Sequence, residues 1–419
     1  MDGSAQDIGS AGGAAGIGTG ETESAYAWLR LIACLAFGTV GSAGMWAVVV
    51  TLPAVQAEFG VARADASLPY TLTMIGFGIG TVTFGRLVDR LGIVPPAIGA
   101  AMMLGLAFIA SSYAPSLTTF ALANLAIGAG SSVTFAPLIA DISHWFTRRR
   151  GIAVAICAAG NYLGGAAWPP IVQRITEADG WRTAQITVGV ACIVLMLPLV
   201  AALRRRLAAR HAQAAAAVAG DAQASLGLPP GAAFALLCVA GVACCVAMAM
   251  PQVHIVAYCG DLGYGVARGA EMLSLMLGFG IISRVASGFI ADRIGGVATL
   301  LIGSVLQGVA LLLYLLFDGL ISLYVISALF GLFQGGIVPM YAVIVRTYFP
   351  PRLAGTLVGL VIVATIVGMA LGGWLSGLIF DLTGSYAQAF LHGLAWNILN
   401  GMIAAFLLLR QARLRPAAA

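Results

Sequence analysis

The stretch "LGFGIISRVASGFIADRIG", Leu277 to Gly295, decides the fold. Residues 277–290 have the composition of a membrane-buried helix, interrupted by one permanent cation, Arg284. The run closes on Gly288, Asp292, Arg293 and Gly295, a G-x-x-x-D-R-x-G pattern. The same pattern stands 203 residues earlier in "FGRLVDRLG" (84–92), through Gly85, Asp89, Arg90 and Gly92. A polar cluster that ends an apolar run twice, at one spacing, marks a chain of two equivalent halves.

Composition agrees. Apolar residues make up 60% of the 419 and charged residues 9%, against about 25% charged in a soluble globule. Most of the surface must therefore face the lipid bilayer. The formal net charge of +5 belongs to the loops of a polytopic membrane protein, and no nucleic-acid partner is expected. All 21 basic residues are Arg. Seven Cys lie in or beside apolar runs without metal-ligand spacing and read as small packing residues, so neither a metal nor a cofactor is expected.

Twelve apolar runs are legible: 29–52, 67–87, 94–113, 116–139, 151–173, 183–203, 230–258, 268–290, 296–317, 320–345, 354–379 and 386–410. Each is long enough to cross ~30 Å of hydrocarbon. The expected organisation is an all-α integral membrane protein. A disordered cytoplasmic tail (1–28) precedes a six-helix bundle (29–203). A basic, Ala-rich cytoplasmic linker (204–229), a second six-helix bundle (230–410) and a cytoplasmic tail (411–419) follow. The first residues lack the cationic start of a signal peptide.

Orientation follows from Arg. With both termini inside, sixteen Arg fall in inside segments (among them Arg30, Arg86, Arg90, Arg148 to Arg150, Arg204 to Arg206 and Arg293). Four fall outside: Arg63, Arg174, Arg182 and Arg268. Trp28, Trp145 and Tyr348, at span ends, read as interfacial anchors.

The repeated motif falls both times in the short inside loop after the second span of a half. Its glycines let helices approach closely, and its Asp can pair with the adjacent Arg or sit at a helix N-terminus. Such a cluster can latch the halves in one state and release in another. The bland alternative is plain topology charge. Further repetition supports the two-half reading: "WFTRRRGIAVAI" (145–156) lies over "YFPPRLAGTLVGL" (348–360), and Gly180 matches Gly384.

Arg284 lies eight residues from Asp292, ~12 Å of helix rise, too deep for easy snorkelling. A cation at that depth is costly unless it is paired or lines water. Glu271, the one acid earlier on its span, is thirteen residues or ~20 Å away, so no intrahelical partner exists. A guanidinium presents a planar fork that matches a carboxylate. The alternative is an Arg paired internally for structure.

Gly85, Leu87, Asp89, Arg90 and Gly92, echoed by Gly288, Ala291, Asp292, Arg293 and Gly295, resemble the signature loop of the major facilitator superfamily. The resemblance covers residues 29–410. It implies two pseudo-symmetric six-helix bundles around a central cavity and rocker-switch alternating access. The block "QVHIVAYCGDLGYGVARGAEMLSLMLGFGIISRVASGFIADRIG" (252–295) resembles the monocarboxylate transporter and oxalate:formate antiporter branch, as does 52–80. In that branch the eighth-span Arg binds the substrate carboxylate, a role that falls by resemblance on Arg284.

The chain departs from these relatives at several points. Oxalate:formate antiporters carry a Lys on the eleventh span, and here that span has no cation. Animal monocarboxylate carriers place an Asp one turn before the Arg, where this chain has Gly280. Multidrug antiporters carry an Arg on the fourth span where Asn124 stands here. Their fifth-span glycine motif ends in Pro where Gly165 stands.

Other candidates for the cavity are Asn161 and Tyr162 on the fifth span, Trp46 over a substrate's apolar body, Gln334 on the tenth span, and Ser283 beside Arg284. His254 can titrate near neutral pH and carry a proton, although an interhelical hydrogen bond would explain it equally. The expected function is secondary active transport of small organic anions, chiefly monocarboxylates, across the inner membrane, by proton coupling or anion exchange. A carrier for another substrate class, such as export of hydrophobic compounds, and a non-transporting sensor are the alternatives. An enzyme is not expected: the four His are scattered and neither H-E-x-x-H nor a P-loop occurs.

Overall fold

The computed structural model describes residues 23–146, 149–204 and 226–414. Most of the expected tails and linker (1–22, 205–225 and 415–419) lies outside the described residues, as does Arg148.

Eleven helical stretches are long and apolar enough to cross a membrane among the described residues. One of them, Gly151–Ala201, is two spans merged across Gly180, whose φ of 84° breaks the helix. The count is therefore twelve. The spans are Ala25–Phe59, Arg63–Leu91, Val94–Ser112, Leu117–Ser143, 150–179, 181–201, Pro230–Asp261, Val266–Ile294, Gly296–Leu316, Leu320–Tyr348, Pro351–Thr383 and Tyr386–Leu414. They are called the first to twelfth spans below. The first helix begins inside the segment expected to be tail, and the last runs past residue 410. Hydropathy marks only the part of a helix that must be apolar, whereas backbone hydrogen bonding carries the helix on.

Three spans are broken. The first is interrupted at Ser42, the fourth by a tight turn at Ser132–Thr134, and the tenth at Gly335 and Gly336. The fourth and tenth are equivalent spans of the two halves. Their equivalence reaches the packing: a Cβ on Gly128 would fall 1.9 Å from the carbonyl oxygen of Thr73, and one on Gly331 would fall 1.9 Å from that of Met276. Both pairs are separated by 203 residues. At these points the second and fourth, and the eighth and tenth, spans touch backbone to backbone, as small residues permit in lipid. Gly384, the partner of Gly180, also has positive φ (66°).

The halves meet chiefly through two helix pairs, the second with the eleventh and the fifth with the eighth. One end of the bundle carries both G-x-x-x-D-R-x-G loops and is called the Arg-rich end.

Arg30 departs from the loop role expected of it. It is 1% exposed and grips Asp141 of the fourth span through Nε (3.0 Å) and Nη2 (2.7 and 2.9 Å). Its guanidinium lies 4.6 Å from the centroid of Trp145, which is buried and is a packing residue rather than an interfacial anchor. A paired, ring-covered guanidinium tolerates burial that a lone cation does not.

Candidate functional site

Between the halves lies a cavity of about 640 Å³, open solvent at its mouth included. Its walls come from the first, second, fourth and fifth spans and from their equivalents, the seventh, eighth, tenth and eleventh. The fourth and tenth spans contribute Phe135 and Val338, each just past its break, and the first contributes Met45 and Trp46, past the break at Ser42. Most of the lining is apolar, rich in Met, Phe and Ile.

Arg284 is the one charged side chain in that lining. Its Nε donates to the carbonyl oxygen of Gly335, at the break of the tenth span, and its Nη1 to that of Ala158 on the fifth, both at 3.3 Å. Among the described residues no carboxylate pairs with it. The ring of Tyr162 stacks 4.2 Å from the guanidinium carbon, and Phe135 lies at 5.8 Å. Two long carbonyl contacts and an aromatic face hold the fork in place and leave its charge unneutralised. A group in this setting can accept a carboxylate in bidentate geometry.

Gly280 makes that setting possible. A Cβ there would fall 2.2 Å from Cε1 of Tyr162. The Tyr162 ring thus occupies the space that any side chain at position 280, an Asp included, would need.

The other candidates divide by position. Trp46, Asn161 and Tyr162 line the cavity. Asn161 donates to the sulfur of Met45 at 3.2 Å, and the buried indole nitrogen of Trp46 has no partner among the described residues. Ser283, Gln334 and His254 lie outside the lining. The Ser283 hydroxyl accepts the backbone N–H of Gly336 (3.0 Å) and so braces the tenth-span break. Gln334, beside that break, is fully buried, and neither amide atom is hydrogen-bonded to a described residue. His254 is fully buried; its Nε2 is 2.8 Å from the carbonyl oxygen of Gly373 on the eleventh span, and its Nδ1 has no partner among the described residues.

The end opposite the Arg-rich one is sealed by contacts between the halves. Arg63, first residue of the second span and 7% exposed, pairs with Asp261 at the end of the seventh (3.1 Å). It also donates to the Tyr386 hydroxyl, which in turn donates to Asp261 (2.9 Å). Asp381 of the eleventh span accepts the backbone N–H groups of Arg63 (2.8 Å) and Ala64 (2.6 Å). It thereby caps the second span's N-terminus from the other half. Arg63 is thus a buried bridge rather than an outer-loop charge.

At the Arg-rich end the reverse holds. Asp89, Arg90, Asp292 and Arg293 are exposed and make no hydrogen bond or ion pair with a described residue. Gly85, Gly92 and Gly288 are half-buried, and Gly295 is exposed. Side-chain ties between the halves are thus present at one end, and these four charged side chains make none at the other among the described residues.

The model of the Major Facilitator Superfamily matches the sequence over residues 33–320 and 235–419. The chain belongs to the major facilitator superfamily. Among curated relatives of this facilitator, Monocarboxylate transporter 13 of Rattus norvegicus is 29% identical over 383 residues, covering 88% of this chain and 86% of the relative. Monocarboxylate transporter 11 of Mus musculus is 25% identical over 392 residues (89% and 85%). Among solved structures, a bacterial homolog of the human lysosomal transporter Spinster, inward-facing and occupied, matches with a TM-score of 0.73 at 13% identity. The match covers 92% of this chain and 97% of that one. This facilitator is a multi-pass membrane transporter, not an enzyme, and it resembles the monocarboxylate transporter branch.

Sequence reasoning passed over several lining residues of the facilitator, notably Gln252, Met248, Thr365 and Met369. Gln252 shares its apolar run with His254, which drew attention instead, and Thr365 is one of several hydroxyl residues in its run. Nothing local distinguishes a Met that lines a cavity from one that packs.

Proposed function

We propose that this facilitator carries small organic anions, monocarboxylates foremost, across the inner membrane by rocker-switch alternating access. One observation carries the reading: Arg284 stands in the central cavity with its charge unpaired by any described carboxylate. The names of the curated relatives agree. Anion binding would neutralise the guanidinium and lower the cost of occluding it. The Arg-rich end would face the cytoplasm, with both termini there. The described state would then be inward-facing, sealed outside by the Arg63 cluster. The Gly85–Gly92 and Gly288–Gly295 loops would latch the cytoplasmic side in the opposite state. Transport would be driven by a proton or by exchange for another anion, and His254, beneath the outer seal, is the candidate proton carrier.

The test is uptake of radiolabelled lactate, pyruvate, formate, oxalate and an aromatic acid into proteoliposomes. Wild type and Arg284→Ala would be compared with and without an inward proton gradient. Uptake of a monocarboxylate that disappears in the mutant supports the anchor, and gradient dependence separates symport from exchange. The apolar walls favour one competitor, a carrier of hydrophobic compounds lacking a carboxylate. Transport that survives Arg284→Ala and ignores the carboxylate would establish that reading instead.

A further inference from the structure

The cavity is not uniform along its depth, and its layering constrains the substrate. Helix rise sets each lining residue's distance from the sealed end. Arg284 lies about 27 Å below the start of its span at Val266. Trp46, Phe77, Met248 and Met369, each on a different span, all lie about 20 Å below that end. Gln252 lies about 13 Å below it, one layer nearer the seal. The order from the Arg-rich end is thus a cation, then a belt of four large apolar side chains, then an amide. That amide is buried (1% exposed), and its nitrogen has no hydrogen-bond partner among the described residues.

We infer that the substrate is an amphiphilic monocarboxylate: a carboxylate at Arg284, an aryl or branched alkyl body filling the belt, and a hydrogen-bond acceptor at its far end facing Gln252. The inference rests on the anion-carrier reading and narrows it. A two- or three-carbon acid held by Arg284 would leave the belt wetted against apolar walls, which is unfavourable. A body that fills the belt removes apolar surface from water on both sides, and methionines adapt to ring edges that vary between substrates. The two polar ends of the lining are about 13 Å apart along the helix axes. That separation suits a phenylalkanoate skeleton with a polar ring substituent rather than a metabolite of lactate's size.

The test uses full-length protein in proteoliposomes, with radiolabelled 3-phenylpropionate as probe. Competitors are acetate, lactate, 3-(4-methoxyphenyl)propionate and the uncharged 3-phenylpropanol. The expected result is a KM for 3-phenylpropionate at least tenfold below that for lactate, with the methoxy acid tighter still and the alcohol inert. Met248→Trp, which fills the belt without removing a wall, should raise the ratio of the KM for the aryl acid to that for lactate more than tenfold. Gln252→Leu should abolish only the preference for the methoxy acid. If lactate or acetate is carried as well as the aryl acid, and all of them require Arg284, the amphiphile inference fails and the anion reading stands. If the alcohol competes as well as the acid and Arg284→Ala still transports, the anion reading itself fails. A Met248→Trp protein that slows every acid equally also overturns the belt, provided its elution profile and thermal midpoint match wild type.

Discussion

Replacing Arg63 with Gln should unseal the closed end. The residue contributes an ion pair to Asp261 at 3.1 Å, a hydrogen bond to Tyr386 and ring contacts with Phe380 and Tyr386. At an effective dielectric near 20, a pair at that distance is worth about 5 kcal/mol before desolvation. The Asp261 side chain is 40% exposed, however, against 9% for Arg63. Solvent screening and the cost of burying the guanidinium offset most of the attraction and leave about 1.5 kcal/mol. These contacts join the two halves at this end, so their loss acts directly on the balance between states and shifts it about tenfold. The readout is electron–electron double resonance in nanodiscs, with spin labels at Ser116→Cys and Asp318→Cys on a background lacking the native cysteines. Both sites are exposed at the sealed end, one in each half. The ratio of the long- to the short-distance population should rise about tenfold in Arg63→Gln. Asp381→Asn, which weakens the cap on the second span, should move it the same way by less. An unchanged distribution, or one shifted to shorter distances, would refute the assignment of this cluster as the seal.

Three further outcomes are expected. Asp141→Asn leaves Arg30 buried without its carboxylate and should cost about 3 kcal/mol or more, seen as a large drop in thermal midpoint by nanoscale fluorimetry, whereas charge removal at exposed Asp89 should leave the midpoint unchanged. Gly331→Val drives a side chain into the Met276 carbonyl and should abolish folded, monodisperse protein on size-exclusion chromatography, as should Gly128→Val in the other half. Tyr162→Phe keeps the ring over Arg284 and should leave anion KM within about twofold, while Tyr162→Ala loses about 1 kcal/mol of cation–π contact and should raise KM about fivefold.

What the sequence made legible was whatever is written locally. Each span is a run of apolar residues long enough to cross a bilayer, so all twelve could be read, although Arg63 to Leu91 was legible only as 67–87 because its polar ends carry no hydropathy signal. Arg284's isolation was also local, since Glu271 and Asp292, the acids of its span, stand about 20 and 12 Å away along the helix. Its ring partner Tyr162 was legible only as a cavity candidate on the fifth span, without the stacking that joins them. The pairs that matter most at the ends were not legible. Arg63 and Asp261 are 198 residues apart, and Arg30 and Asp141 are 111 apart. A count of Arg by loop assigns both cations to the solvent. The breaks at Ser132–Thr134 and Gly335 were hidden for another reason: small polar and Gly residues also occur in unbroken membrane helices. His254 and Gln334 stood out as polar residues at membrane depth, yet their helices turn them away from the cavity.

The central claim is that Arg284 holds the negative charge of the substrate. Equilibrium binding to purified wild type and Arg284→Gln tests it most directly, using whichever acid is carried together with that acid's primary amide. The account predicts that wild type prefers the acid over the amide by about thirtyfold or more, the worth of a charge-assisted bidentate contact, and that Arg284→Gln binds the two equally. A preference for the acid that survives in Arg284→Gln would contradict the account and place the anion elsewhere in the protein.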